Sequence, residues 1–170
     1  MRLPAVSVIG GARVRDPDVI ALAESLGRGI RELGAHLVCG GMTGVMEAAC
    51  RGFQSVDGPG RAIGILPTTG QDDGNAFLDV ALPTGMGYTR NSLVVQGGDA
   101  VVVVGGESGT LSEIALAWQL GRPIAALVSA GGFGAELGGR RLDGRRDDKI
   151  FAATTVAEAV GWLRATIRAR

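Results

Sequence analysis

The apolar positions of this chain fall into short continuous runs that end in glycine, each followed by a stretch of helical period. Ala5 to Ile9 is one such run and ends in Gly10-Gly11, after which Val19, Ile20, Leu22, Leu26, Ile30 and Leu33 recur at helical spacing over residues 17 to 33. The unit repeats: Leu37 to Cys39 runs into Gly40-Gly41 and a helix over residues 44 to 53, and Ala62 to Leu66 forms the next strand. A further strand is expected near Leu78 to Leu82, closed by Pro83 and Gly85 before a helical stretch from Tyr88 to Gln96. Val101 to Val104 is the plainest buried strand; it ends in Gly105-Gly106 and leads to a helix from Leu111 to Leu120. Ile124 to Val128 predicts another strand, and Ala130 to Arg146 a glycine- and arginine-rich loop, the most mobile segment expected. A short strand at Ile150 to Ala152 precedes a helix beginning after Thr154 or Thr155, with Val156, Val160, Leu163 and Ile167 inward. Continuous β-branched runs bounded by glycine suit parallel strands covered on both faces. The whole pattern predicts a Rossmann-like α/β fold, a doubly wound, mostly parallel sheet with helices on both faces. No linker divides it, so residues 1–170 are expected to form a single nucleotide- or phosphate-binding domain.

Composition narrows the chemistry. Seventeen basic and seventeen acidic residues leave a formal net charge of zero. No global field therefore draws the chain to nucleic acid or anionic lipid, and any anion must be held locally. Nucleic-acid binding is further disfavoured because the aromatic residues are few (Trp 2, Tyr 1, Phe 4) and show no aromatic-basic face. Lys149 is the sole lysine, which removes a P-loop GK[ST] and leaves a Schiff base one unpromising candidate. Cys39 and Cys50 form neither a CxxC nor a Cys/His group and read as buried, inert thiols, so no metal site is suggested. The first strand begins too early for a signal peptide and no apolar run is long enough to span a bilayer, so a cytoplasmic location without membrane contact is expected. The basic tail of Arg164, Arg168 and Arg170 is expected to be solvated.

Two segments share the form GGx[ST]G: Gly40-Gly41-Met42-Thr43-Gly44 and Gly105-Gly106-Glu107-Ser108-Gly109. Each lies between a strand and a helix, where unpaired N–H groups and the positive end of the helix dipole attract an anion and glycine admits a phosphate close to the main chain. Gly10-Gly11 is a third such turn. The expected phosphate-holding residues are thus Gly10, Gly11, Gly41, Thr43, Gly44, Gly105, Gly106, Ser108, Gly109 and Thr110. Ordinary dinucleotide binding is disfavoured, since the first turn lacks GxGxxG and the second strand ends in Cys39 where an acid should grip a ribose. Several polar residues also carry structural readings. Thr110 and Glu113 fit a capping box, Arg90 fits a surface helix, and Glu47 favours its own helix start. Asp99 suits a turn or a backbone amide, while His36 and the Asp72-Asp73 pair read as structural or solvated.

The run Gly85-Met86-Gly87-Tyr88-Thr89-Arg90-Asn91, then Asp99-Ala100, then Gly109-Thr110-Leu111-Ser112-Glu113 resembles the small Rossmann-like family that includes the molybdenum-cofactor carrier proteins. It is similar, more distantly, to the Lonely-Guy phosphoribohydrolases, often mislabelled lysine decarboxylases. The resemblance covers nearly the whole chain and implies assembly as a homodimer or larger, for which the helix bearing Trp118 is the candidate surface. It implies that Gly109 and Thr110 hold a phosphate. It also implies that Arg90 and Glu113 occupy the catalytic arginine and glutamate positions of the hydrolases, facing a ribose and its N-glycosidic bond, with Asn91 beside them in the ligand site. Two departures favour binding over hydrolysis: Asn91 stands where the hydrolases carry a basic residue, and Gly105-Gly106-Glu107 stands where they have Pro-Gly-Gly. Pyridoxal-phosphate decarboxylation is not implied, because Lys149 lies beside a charged loop. The expectation is a carrier of a phosphorylated pterin or nucleotide-like ligand that needs no cofactor of its own and takes molybdenum cofactor or a nucleotide as cargo. The alternative is a nucleoside 5′-monophosphate phosphoribohydrolase.

Overall fold

Val101 to Val104 have no exposed surface, because helices close over the sheet from both sides. The structure, a computed structural model, describes residues 2–168; Arg170 and the side chain of Arg168, part of the basic tail, lie outside the described residues, while Arg164 is exposed as expected. The strands are β1 (Ala5–Gly10), β2 (His36–Cys39), β3 (Ala62–Leu66), β4 (Val80–Pro83), β5 (Ala100–Val104), β6 (Ile124–Leu127) and β7 (Phe151–Ala153). They form one sheet in the order β4-β3-β2-β1-β5-β6-β7, and every pairing among them is parallel. The helices are α1 (Pro17–Glu32), α2 (Val45–Gln54), α3 (Asn91–Gly97), α4 (Ser108–Gln119), α5 (Gly132–Leu137) and α6 (Val156–Arg168). Residues on alternate sides of each strand enter different cores. Val6, Val8, Val102 and Val104 meet Leu26, Ile30, Phe53 and Leu163 of α1, α2 and α6. Val101, Val103 and Ile9 meet Val94, Ile114 and Trp118 of α3 and α4.

Local chemistry sets the element ends. Asp16 accepts the Asp18 N–H at 2.9 Å and Pro17 opens α1, a capped start with proline where no N–H is needed. β4 begins two residues later than the hydropathy predicts, because Asp79 is engaged with the first residue of β3: its carboxylate accepts the Ala62 N–H at 2.7 Å. The helical stretch from Tyr88 is a 3₁₀ turn over Gly87–Arg90 followed by α3. The expected loop from Ala130 to Arg146 is partly helical, which corrects the sequence reading. There α5 is fixed by long-range contacts that outweigh its glycine content: Phe133 and Gly134 donate to the Gly106 and Gly105 carbonyls at 3.1 and 3.0 Å, and Phe133 and Leu137 pack on the core.

Candidate functional site

β1 pairs with β2 on one side and β5 on the other, so the chain order reverses there and the loops leaving β1 and β5 diverge. This is the switch point at which open α/β sheets hold ligands. The cleft that results has a volume of about 810 Å³. It crosses the carboxyl ends of the strands from Glu107–Thr110, Ser112 and Glu113 after β5, over Gly10–Arg13 after β1 and Met42, Thr43 and Met46 after β2, to Pro67 after β3; Gly87, Tyr88, Arg90 and Asn91 also line it.

At the β5 end the backbone presents free donors. Leu111 is the first residue of α4 whose N–H enters the helical ladder, bonding the Glu107 carbonyl at 2.9 Å. The N–H groups of Ser108, Gly109 and Thr110 have no backbone partner among the described residues, and no side chain caps the helix. A twelve-residue helix thus points three orphan donors and its positive dipole end into the cleft. Gly106 turns the chain into this loop at φ +107°, and a Cβ there would lie 2.4 Å from Cγ2 of Thr110. Only glycine allows that turn and that approach.

The other GGx[ST]G loop is spent differently. The Val45 N–H donates to the Gly11 carbonyl at 3.1 Å and the Thr43 hydroxyl to the Ala12 carbonyl at 2.8 Å, so this loop ties the β1 and β2 turns together. Of the sequence-predicted residues, the cleft brings together Gly10, Gly11, Thr43, Arg90, Asn91, Ser108, Gly109, Thr110 and Glu113. Gly41, Gly44, Gly105 and Gly106 are not among its lining residues and form the turns behind it.

Arg90 and Glu113 share the cleft, and both are buried, at 8% and 7% exposure, so Arg90 is not a surface helical residue. The guanidinium donates through Nη1 to Oδ1 of Asn91 and through Nη2 to the Gly40 carbonyl at 3.2 Å. Gly40 has to be glycine for this: a Cβ there would sit 2.5 Å from Nη2. Nε of Arg90 is buried with no partner among the described residues. Arg90 and Glu113 form no ion pair within 4.0 Å among the described residues, yet each feels the other's charge. Burial pushes the Glu113 carboxyl up to about 7 against the pull of Arg90. Burial also lowers the Arg90 pKa from its ordinary value, opposed by Glu113 and Cys39. The capping-box reading of Glu113 is not realised, since Thr110 is the third residue of α4, not its N-cap.

Sequence reasoning did not assign Arg13, Met42, Met46, Pro67 and Tyr88 to the site, although they line the cleft. Arg13 stands at the cleft mouth, its Nη2 3.4 Å from Oε2 of Glu107 across the switch point; two arginines just after a strand-end Gly-Gly were the available signal. Met42 lies inside the first GGx[ST]G loop and Tyr88 inside the run that ends in Arg90-Asn91, where the variable side chain marks no chemistry by itself, and Met46 and Pro67 belong to no motif. The remaining candidates are structural. Asp99 accepts the Ala5 N–H at 2.9 Å and pairs with Arg2 at 2.7 Å, and Nδ1 of His36 accepts the Arg61 N–H at 3.0 Å. Glu47 lies 3.6 Å from Arg51. Cys39 and Cys50 are free and buried with their sulfurs 3.6 Å apart. Asp72 and Asp73 lie in an exposed turn. Among the described residues no cluster of three or more His, Cys, Asp or Glu is arranged to hold a metal, and no helix is long and apolar enough to cross a membrane.

A family model described as the SLOG cluster4 family matches residues 3–160. A protein of Archaeoglobus fulgidus is 39% identical over 127 residues, covering 75% of this chain and 82% of that one. The molybdenum cofactor binding protein of the phototrophic bacterium Rippkaea orientalis superposes with a TM-score of 0.83 at 29% identity, over 97% of this chain and 98% of its own. The Moco carrier protein of Chlamydomonas reinhardtii superposes with a TM-score of 0.82 at 27% identity, over 99% of this chain and 100% of its own.

Proposed function

This chain belongs to the SLOG cluster4 family, and from that premise we propose that it is a carrier that holds a phosphorylated pterin or nucleotide-like molecule, molybdenum cofactor foremost, in the cleft at the β1/β5 switch point. The observation that carries this reading is the uncapped start of α4, whose three free N–H groups open into the same cleft as the buried, partly unpaired Arg90. Both groups suit an anion: the backbone donors cradle phosphate oxygens without a side chain between, and the guanidinium keeps its charge at any physiological pH. Glu113, whose carboxyl burial pushes up to about 7, is part protonated at neutral pH and so repels an incoming anion less than an ordinary carboxylate. The likeness to a molybdenum cofactor binding protein and to a Moco carrier protein supports the choice of cargo. In this reading the protein works without a cofactor of its own, in the cytoplasm, as a homodimer or larger assembly. Gly10, Gly11, Ser108, Gly109 and Thr110 hold the phosphate, and Asn91 fixes the orientation of Arg90.

The phosphoribohydrolase reading keeps one specific support, the pairing of a buried arginine with a carboxyl whose pKa lies near neutral, where general acid–base groups work best. Splitting an N-glycosidic bond needs a water aimed at the anomeric carbon and stabilisation of the developing positive charge on the ring. Here the neighbour of Arg90 is an amide engaged in holding it, which leaves Glu113 to serve both ends. Two measurements separate the readings: mass spectrometry of small molecules released from the purified protein, and chromatography for free base after incubation with AMP. The expected result is a bound pterin phosphate or nucleotide with little base released. Robust release that vanishes in Glu113→Ala would replace the carrier by the hydrolase.

A further inference from the structure

We infer that Tyr88 is the stacking surface for a flat heteroaromatic ring of the bound molecule, which lies across the strand ends with its phosphate at α4 and its ring at the β3 end. The inference rests on the anion site assigned above and adds the other half of the ligand. The sheet order sets the dimensions: β5 to β3 is three inter-strand steps, which at about 4.8 Å each gives roughly 14 Å between the two ends of the cleft. That length holds a phosphate ester joined to a fused-ring heterocycle.

The two ends differ in chemistry. Free amide donors, Arg13 and Glu107 stand at the β1 and β5 end; after β2 come Thr43 and the Arg90 guanidinium on the Gly40 carbonyl, and Met42, Met46, Pro67 and Tyr88 contribute two thioethers, a proline ring and a phenol toward the β2 and β3 end. Tyr88 is the sole tyrosine and is 90% exposed, yet its backbone is fixed. Gly87 and Gly85 donate to the carbonyls of Pro67 and Thr68 at 2.9 and 2.8 Å, Thr89 donates to Met86 at 3.2 Å, and the next two residues are the buried Arg90 and Asn91. The main chain therefore fixes where the Tyr88 side chain leaves the backbone, beside the end of β3, and its exposure leaves the ring open to a ligand. Tyrosine suits such a place: a large rigid π-face loses little conformational entropy on binding, and stacking on it accepts a pterin or a purine alike. The ligand class is thus a phosphate monoester of a bicyclic heteroaromatic compound, in preference to a ring-free sugar phosphate.

The test is calorimetric titration of the full chain with AMP and with ribose 5-phosphate, in the wild type, Tyr88→Ala and Tyr88→Phe. Tyr88→Ala is expected to weaken AMP about tenfold, the effect of losing one base–aromatic stack, while ribose 5-phosphate stays within about twofold and Tyr88→Phe retains the AMP affinity. Equal weakening of both ligands, an unchanged AMP affinity in Tyr88→Ala, or a Tyr88→Phe variant as weak as Tyr88→Ala each overturns the stacking role. If the wild type binds neither ligand, the anion site itself is wrong and the inference falls with it. If the wild type binds AMP and Tyr88→Ala does so equally, only the role of Tyr88 falls.

Discussion

Glu113 is an acid whose folded-state pKa, about 7, lies above its ordinary value of 4.5. Between those two values the folded chain keeps a proton that the unfolded chain has released. The stability contributed by the neutral carboxyl is therefore fullest below about pH 4.5, is lost as pH rises toward 7, and changes no further above it. At 1.36 kcal/mol per pH unit the total is about 3 kcal/mol. Glu113→Gln should remove this loss, so the variant gains on the wild type by about 2 to 3 kcal/mol more at pH 8 than at pH 5 in urea denaturation; an equal difference at both pH values would show that burial does not hold the carboxyl neutral. Two neighbouring glycines divide binding from folding. A Cβ on Gly109 meets no atom within 4 Å, so Gly109→Val should leave the melting temperature within a few degrees and abolish phosphate-ligand binding, because its side chain stands between the orphan donors and the anion. Gly106→Ala, with φ at +107° and Thr110 in the way, should instead cost about 1 to 3 kcal/mol of stability. Arg90 and Glu113 were legible because both lie in short motifs that fix their type and spacing. Arg13 was not, since its place at the cleft mouth comes from a loop that crosses to Glu107, 94 positions away.

Helices α1 and α2 touch backbone to backbone. A Cβ on Gly52 would fall 1.9 Å from the Glu24 carbonyl oxygen, and one on Gly27 would fall 2.0 Å from that of Ala49. Gly52→Ala must therefore push the helices apart, at a cost of about 1 to 3 kcal/mol. Because α2 starts at Val45, whose N–H closes on Gly11, the same substitution should also weaken ligand binding. Gly161→Ala in α6, where an added Cβ meets nothing within 4 Å, should be neutral or stabilising by up to about 1 kcal/mol. Calorimetric melting of the two variants checks both expectations, and a neutral Gly52→Ala would mean that the helices repack without strain. At this scale the sequence was informative where an element declares itself locally. The glycine-bounded apolar runs of β1, β3 and β5 fall within a residue of their expected bounds. Strand order was not legible, since the central pairing joins Val6 to Ala100 and no local pattern encodes which distant run becomes a neighbour. The short helix α5 stayed hidden for the same reason: it is held by the carbonyls of Gly105 and Gly106, not by its own propensity.

Across the molecule as a whole, two neighbouring helices lack the outward charges that water-facing helices carry, the short α3, which has none, and the longer α4. α1 bears Asp18, Glu24, Arg28, Arg31 and Glu32, whereas the only charged residue of α4 is the buried Glu113. A surface helix that is uncharged on its outer side is normally covered by another part of the protein or by a partner. The sequence pointed to α4 as the candidate surface, and the structure places its Trp118 side chain in the core behind that face. Trp118 is 1% exposed, its Nε1 donates to Asp143 at 2.9 Å, and the Arg146 guanidinium stacks on its ring at 4.5 Å. The residues of α4 left partly open are Leu111, Ala115 and Leu116, with Gln119 and then Leu120 exposed beyond them. Self-association through this face is therefore expected, as a closed twofold pair in the simplest case. Ala115→Glu would set a charge in the middle of that face, where burial against a second copy costs more than any exposed pairing returns. Sedimentation should find the wild type larger than a monomer at high concentration and Ala115→Glu monomeric, with the melting temperature of the variant extrapolated to low concentration unchanged. A wild type that stays a clean monomer would show that α4 needs no cover. A variant that still associates would move the interface to another face, for which the exposed Val80 and Leu82 on the edge strand β4 are the next apolar residues in line.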